Sequence, residues 1–178
     1  LAIAMGATKD ERYTKTLIDA MNGSDEGVVQ ACAFALGNIG KYDAIDPLKG
    51  LLDNPEPQIR LHAVIALGKI GSPSIAPDLR KMLSDPEPNV RWDASIALAK
   101  QKDSSGRSIL IDLLDRKYLN SFPNIDEKEK VQVILVAISV SHFIQNQELK
   151  TVLSNIRDND ENLKIREAAR IALDKFVI

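Results

Sequence analysis

The chain of 178 residues has one cysteine, two histidines and a single tryptophan, and aromatic residues make up only 4% of it. One thiol, Cys32, cannot close an internal disulfide, which fits a reducing compartment such as the cytoplasm. Two isolated histidines, His62 and His142, fall short of the ligand clustering that a zinc or iron site requires, so no metal is expected. No apolar run approaches the ~18 residues that a bilayer span needs, and Leu1 to Asp10 lack the charged, apolar and small-residue order of a secretory signal. Charge of one sign is also missing. Lys and Arg number 23 against 25 Asp and Glu, a formal net charge of -2 with a pI near 5.7. That balance gives no positive field for phosphates or an anionic membrane, so neither nucleic acid nor membrane is expected as a partner. A Gly-rich phosphate loop, a nucleophile elbow and carboxylates paired by the pattern are absent as well, so no catalytic residue and no cofactor are expected.

What the sequence does have is a copy of itself. Met5-Gly6, Leu36-Gly37, Leu67-Gly68 and Leu98-Ala99 recur every 31 residues. Aligning Leu48–Gly68 on Leu79–Ala99 matches Leu48, Leu52, Pro55, Glu56, Pro57, Arg60, Ala63, Ile65, Ala66 and Leu67 identically. A period of this length marks a stacked array in which each unit buries its apolar face only against its neighbours. The expected organisation is one domain over residues 1–178. It comprises a partial repeat at 1–9, then repeats at 10–40, 41–71, 72–102, 103–144 with an insertion at 118–126, and 145–178. Leu1 to Gly6 matches only the end of a unit, so upstream repeats are expected. Cys32 occupies the register of Ala63 and Ala94 and reads as a small core residue.

Within Asp43 to Gly71, Ile45, Leu48, Leu51 and Leu52 take the three-and-four spacing of an amphipathic first helix, helix A. Asp43 is expected to cap it, with Pro47 in its first turn. Asn54 is expected to cap the second helix, helix B, with Pro55 and Pro57 in its first turn; Asp53, Asp85 and Glu87 likewise read as caps. Helix B presents Ile59, Ala63, Ala66, Leu67 and Ile70 to the seam, and Gly71 supplies the left-handed stop. Arg60, Arg91 and Arg166 share one position on successive B helices and are expected to tie each helix to the turn before it. Lys69, Lys100 and Lys175 lie near helix C-termini, where positive charge complements the dipole.

The pattern Pro-x-Ile/Val-Arg-x-x-Ala-x-x-Ala-Leu-Gly/Ala at Pro57–Gly68 and Pro88–Ala99 resembles HEAT-like repeats, most closely the bilin-lyase (PBS lyase) type. It is clearest over Val28–Leu98 and weakest over Lys130–Phe143. The resemblance implies an all-α fold, a right-handed α-α superhelix of helical hairpins. It also implies a non-catalytic protein-binding scaffold, or else a bilin-lyase-like subunit or chaperone acting on a tetrapyrrole-bearing protein. Deoxyhypusine hydroxylase, of similar build, uses paired His-Glu motifs, whereas here Ala63 follows His62 and Phe143 follows His142. The acidic balance speaks against the HEAT-like DNA glycosylases.

On a helical wheel, positions 61, 65 and 68 lie opposite the seam. A merely solvated face carries charge there, but position 65 and its equivalents are Ile3, Phe34, Ile65, Ile96, Val136 and Ile171, while 61 and 92 are Leu61 and Trp92. By analogy with the family, B helices line the concave surface. The candidate partner-binding residues are therefore Phe34, Leu61, Ile65, Trp92, Ile96 and Val136, with Trp92 exposed as an anchor for a partner helix or extended peptide. The competing reading packs this row between adjacent B helices. Val131–Ile144 is apolar nearly all round and needs a cover, supplied by the insertion with Phe122, by a missing partner, or by self-association with a second copy. The two histidines read as exposed and idle.

Overall fold

Each of the first four units opens with a single 3-10 turn, at Glu11–Tyr13, Tyr42–Ala44, Pro73–Ile75 and Ser104–Gly106, which keeps the period of 31 residues. Asp10, Ser72 and Asp103 precede three of these turns and accept the backbone N–H two residues on, at 3.0, 3.4 and 2.8 Å. Lys41 stands at the equivalent place in the second unit. Asp43 therefore lies inside its turn and is not the cap expected of it.

The computed structural model of the chain describes residues 1–23 and 25–177. Ser24 and Ile178, which fall within the expected units 10–40 and 145–178, lie outside the described residues. Helix α1 (Ala2–Thr8) is the second helix of the partial unit. Then α2 (Thr14–Met21) and α3 (Glu26–Ile39), α4 (Ile45–Lys49) and α5 (Pro57–Ile70), and α6 (Ala76–Met82) and α7 (Pro88–Lys100) form three hairpins. In the fourth unit, α8 (Arg107–Leu113) and α10 (Glu127–Ser141) are separated by a short extra helix, α9 (Arg116–Asn120), and α11 (Gln147–Asn159) with α12 (Leu163–Leu173) form the fifth hairpin. No strand occurs among the described residues. The architecture is an all-α superhelix.

Consecutive B helices touch through their smallest residues. A Cβ placed on Gly6, Gly37 or Gly68 would stand 2.5 Å from the Ala35 Cα, 2.7 Å from the Ala66 Cα and 2.8 Å from the Ala97 Cβ. Glycine in a helix interior costs about 1 kcal/mol relative to alanine, and here it lets neighbouring backbones close on one another. Behind this contact Ala63, Ala66, Leu67 and Leu98 are fully buried, as are Leu48 and Leu79 from the A helices. Cys32 is buried among them, and burial pushes its thiol upward.

Electrostatics reinforce the stack from one unit to the next. Arg60 is buried and donates to the Asn54 and Pro55 carbonyls at 2.9 and 3.0 Å, and through two nitrogens to Asp85 of the next unit at 2.7 and 2.9 Å. Burial works to raise the Asp85 carboxyl, but the Arg60 guanidinium and the Glu87 N–H hold it below the usual carboxylate range. Arg91 bonds only the Asp85 and Pro86 carbonyls of its own turn, and Arg166 bonds the Arg157 carbonyl. The position after Asn54 and Asp85 in the series is Arg116, whose reversed charge is answered by Asp160 at 3.0 and 3.1 Å. Asn54 and Asp85 are not N-caps: each accepts the N–H two residues on, and Glu56 and Glu87 occupy the cap positions without a side-chain bond. Pro57 and Pro88 then fill the first helical position, and Pro55 falls outside the helix. Gly71 ends α5 at φ 71°, as expected.

Because the space at Gly37 is closed by a backbone atom of the next helix, Gly37→Ala should lower stability by about 1–3 kcal/mol despite its better helix propensity. Gly50→Ala, where the added Cβ meets the Pro47 and Asp46 carbonyls at 3.4 and 3.9 Å, should leave Tm unchanged or slightly raised. Thermal denaturation of the two variants side by side checks this; equal Tm values would mean that the B helices are free to separate.

Candidate functional site

The regular stacking changes after α7. The register that holds Gly37 and Gly68 holds Ala99, a methyl group where the earlier pairs have none, and the following B helix comes nine residues late. Helix α10 packs on α7, α8 and α12, but along much less of α7 than α5 does. Between α7 and α10 lies an open cavity of about 690 Å³, within the usual size range of ligand sites.

Two helix faces look at each other across it. From α7 come Asn89, Trp92, Asp93 and Ile96, and from α10 come Glu129, Gln132, Val133 and Val136, each set at helical spacing. Leu61 of α5 and Leu113 of α8 complete the apolar lining, and Asn124, Ile125 and Asp126 of the insertion border one end. There the Asp126 side chain accepts the Glu129 N–H at 2.8 Å while Glu129 accepts the Asp126 N–H at 3.0 Å, a reciprocal cap that fixes the start of α10.

Of the six candidate residues, Leu61, Trp92, Ile96 and Val136 border this cavity. Phe34 and Ile65 do not. The Phe34 ring is covered by the Lys69 ammonium, 4.3 Å from its centroid, while Lys69 also donates to Asn38. Ile65 is half-buried further along the row. The row itself reaches the surface at both ends, with Ile3 60%, Val136 41% and Ile171 44% exposed.

Trp92 corrects the sequence reading. It is 5% exposed, because the insertion folds onto it: Phe122 and Tyr118 meet the indole edge-on at 5.0 and 6.3 Å, and the indole N–H donates to the Tyr118 hydroxyl at 3.2 Å. Three of the eight aromatic residues gather in this one cluster, so Trp92 anchors the insertion and forms cavity wall instead of projecting toward a partner. Most of α10 is likewise covered within the chain: Ile134, Ala137, Ile138 and Val140 are buried, leaving Val136 as its exposed large apolar residue, with Phe143 exposed just beyond its end. The histidines are half-buried, not exposed. His62 Nδ1 lies 2.7 Å from the Gln58 carbonyl, and His142 stacks on Phe143, with burial holding its pKa down.

Asp93, which sequence reasoning missed, is the odd group of the cavity. Burial pushes its carboxyl up to about 6, against the opposing influence of Lys100 and His62. The signal was present in its spacing with Asn89 and Ile96, but the carboxylates that the pattern singles out are Asp53, Asp85 and Glu87, which read as caps. Across the cavity stand Asp126, Lys128 and Glu129. Because the folded chain holds the Asp93 proton more tightly than the unfolded chain, this group contributes stability below about pH 4 that is lost as pH rises through about 6. Asp93→Asn should therefore raise Tm near pH 8, and the gain should shrink steadily toward pH 4. A mutant-minus-wild-type difference that does not vary with pH would mean that water reaches the carboxylate freely.

Helical hairpins stacked at a fixed period, with their small residues in register, define an α-solenoid repeat protein. Two family models match the chain, HEAT repeats over residues 48–119 and the PBS lyase HEAT-like repeat over residues 28–54. The chain is a HEAT-like repeat protein. No curated protein matches it in sequence. Among solved structures it is similar to a chain of the complex of CpcE and CpcF of phycocyanin lyase from Nostoc sp., with 22% identity and a TM-score of 0.71 over 92% of this chain. It spans 65% of the length of that relative. It is also similar to a designed armadillo repeat protein in complex with the peptide (KR)4, with 21% identity and a TM-score of 0.63, covering 98% of this chain and 90% of the other. At these identities the likeness concerns the fold.

Proposed function

We propose that the protein is a non-catalytic interaction scaffold that receives a partner helix or extended peptide in the groove between α7 and α10. The observation that carries this reading is the apolar surface of Leu61, Ile96, Val133 and Val136 around a cavity of about 690 Å³, which the chain builds at some expense in packing and does not fill. An apolar hollow with a few polar groups at its edge is the usual form of a binding site, and burying such surface on association is favourable at roughly 25 cal/mol per Å². The similarity to a peptide-bound designed repeat protein supports a peptide guest.

Val136 is exposed and makes a clean probe. Val136→Glu should weaken capture of the partner by the full-length protein at least tenfold in a pull-down or titration, a change of about 1.4 kcal/mol or more, while Tm stays within about 2 °C. Undiminished capture would contradict the groove reading. The match to the PBS lyase repeat favours a second reading, a lyase-like subunit acting on a tetrapyrrole-bearing protein. That reading expects a shift in the visible absorbance of free bilin on titration with the protein, and an unchanged spectrum would dispose of it.

A further inference from the structure

Building on the groove reading, we propose that the docking segment is apolar but carries one lysine or arginine, whose charged head sits against Asp93. Six aspartates are buried or half-buried. Five of them have a cation: Asp10 has Arg12, Asp78 has Lys49, Asp85 has Arg60, Asp103 has Arg80 and Asp160 has Arg116. Asp93 has neither an ion pair nor a hydrogen bond among the described residues, although the same chain pairs every comparable group. A carboxylate in an apolar wall without a partner is costly, and such groups concentrate where a ligand completes them.

The surroundings specify the sign and the shape of what is missing. Phosphate or carboxylate groups would meet Asp93, Asp126 and Glu129 together, with only Lys128 to offset them. A cation is attracted by the same set. Leu61, Ile96 and Val133, which line the same cavity as Asp93, suit the aliphatic stem of lysine or arginine, which buries its methylenes and keeps only its head polar. Lys100 and His62 act on Asp93 from α7 and α5, and no ion pair joins either of them, or Lys128, to it among the described residues. Place and charge both remain open for the guest.

A random dodecapeptide library displayed on phage, panned on the wild-type protein and counter-selected on Val136→Glu so that only groove binders survive, tests this directly. The expected pool carries lysine or arginine between apolar residues. Asp93→Asn should weaken a synthetic peptide from that pool about tenfold, replacing its basic residue by norleucine should do the same, and the two changes together should cost little more than either alone. Groove-dependent peptides that lack a basic residue, or that bind Asp93→Asn as tightly as wild type, would overturn the proposal and leave the groove reading standing. If no selected peptide depends on Val136, both fall. Asp93→Asn keeps the side-chain volume and relieves a buried charge, so loss of binding cannot be assigned to loss of fold.

Discussion

The structure depends on the distance between successive B helices, and that distance is set by glycine meeting alanine. Gly6 against Ala35, Gly37 against Ala66 and Gly68 against Ala97 hold three helix pairs at close approach. Each contact forgoes helix propensity at one residue in exchange for dense packing along both helices. The first place where the series lapses, at Ala99, is also where the stack loosens and the cavity opens. Site and scaffold thus have one cause.

The insertion turns that gap into a shaped surface. Left alone, a long loop between α8 and α10 would pay heavily in conformational entropy, but Trp92, Tyr118 and Phe122 pin it through aromatic contacts worth about 0.5–1.5 kcal/mol each beyond their burial. The reciprocal cap at Asp126 and Glu129 fixes where α10 begins. Charge follows the same division. Along the regular part, Arg60 and Asp85 neutralise one another between units, and in the altered part Arg116 and Asp160 form the corresponding pair between the fourth and fifth units, with the arginine supplied by the turn instead of by the B helix. Asp93 stands apart from both pairs and faces the opening.

Much of this was legible in the sequence because it is periodic. The period of 31 residues, the assignment of Leu48, Leu67, Leu79 and Leu98 to the core, the stop at Gly71 and the apolar row from Ile3 to Ile171 all follow from local pattern, since each residue meets the same surroundings in every unit. The 3-10 openings and the two-residue offset of the caps were not legible, because Asn54 and Asp85 make a side-chain turn before the helix that has the same composition as a cap. Trp92 was misplaced for a different reason. What covers it lies 26 residues downstream in the one segment that breaks the repeat, where no equivalent unit supplied a template. Asp93 was overlooked because its significance lies in lacking a partner, and partners on neighbouring helices are set by packing rather than by spacing along the chain.

If another protein sits between α7 and α10, methyl-labelled NMR of the protein saturated with its captured partner will locate it. The methyl groups of Leu61, Ile96, Val133 and Val136 should shift and show cross-relaxation to protons of the partner, while those of Leu48, Leu79 and Leu153 stay in place. Perturbations confined to the A helices or to α11 and α12, with the four groove residues silent, would contradict this placement.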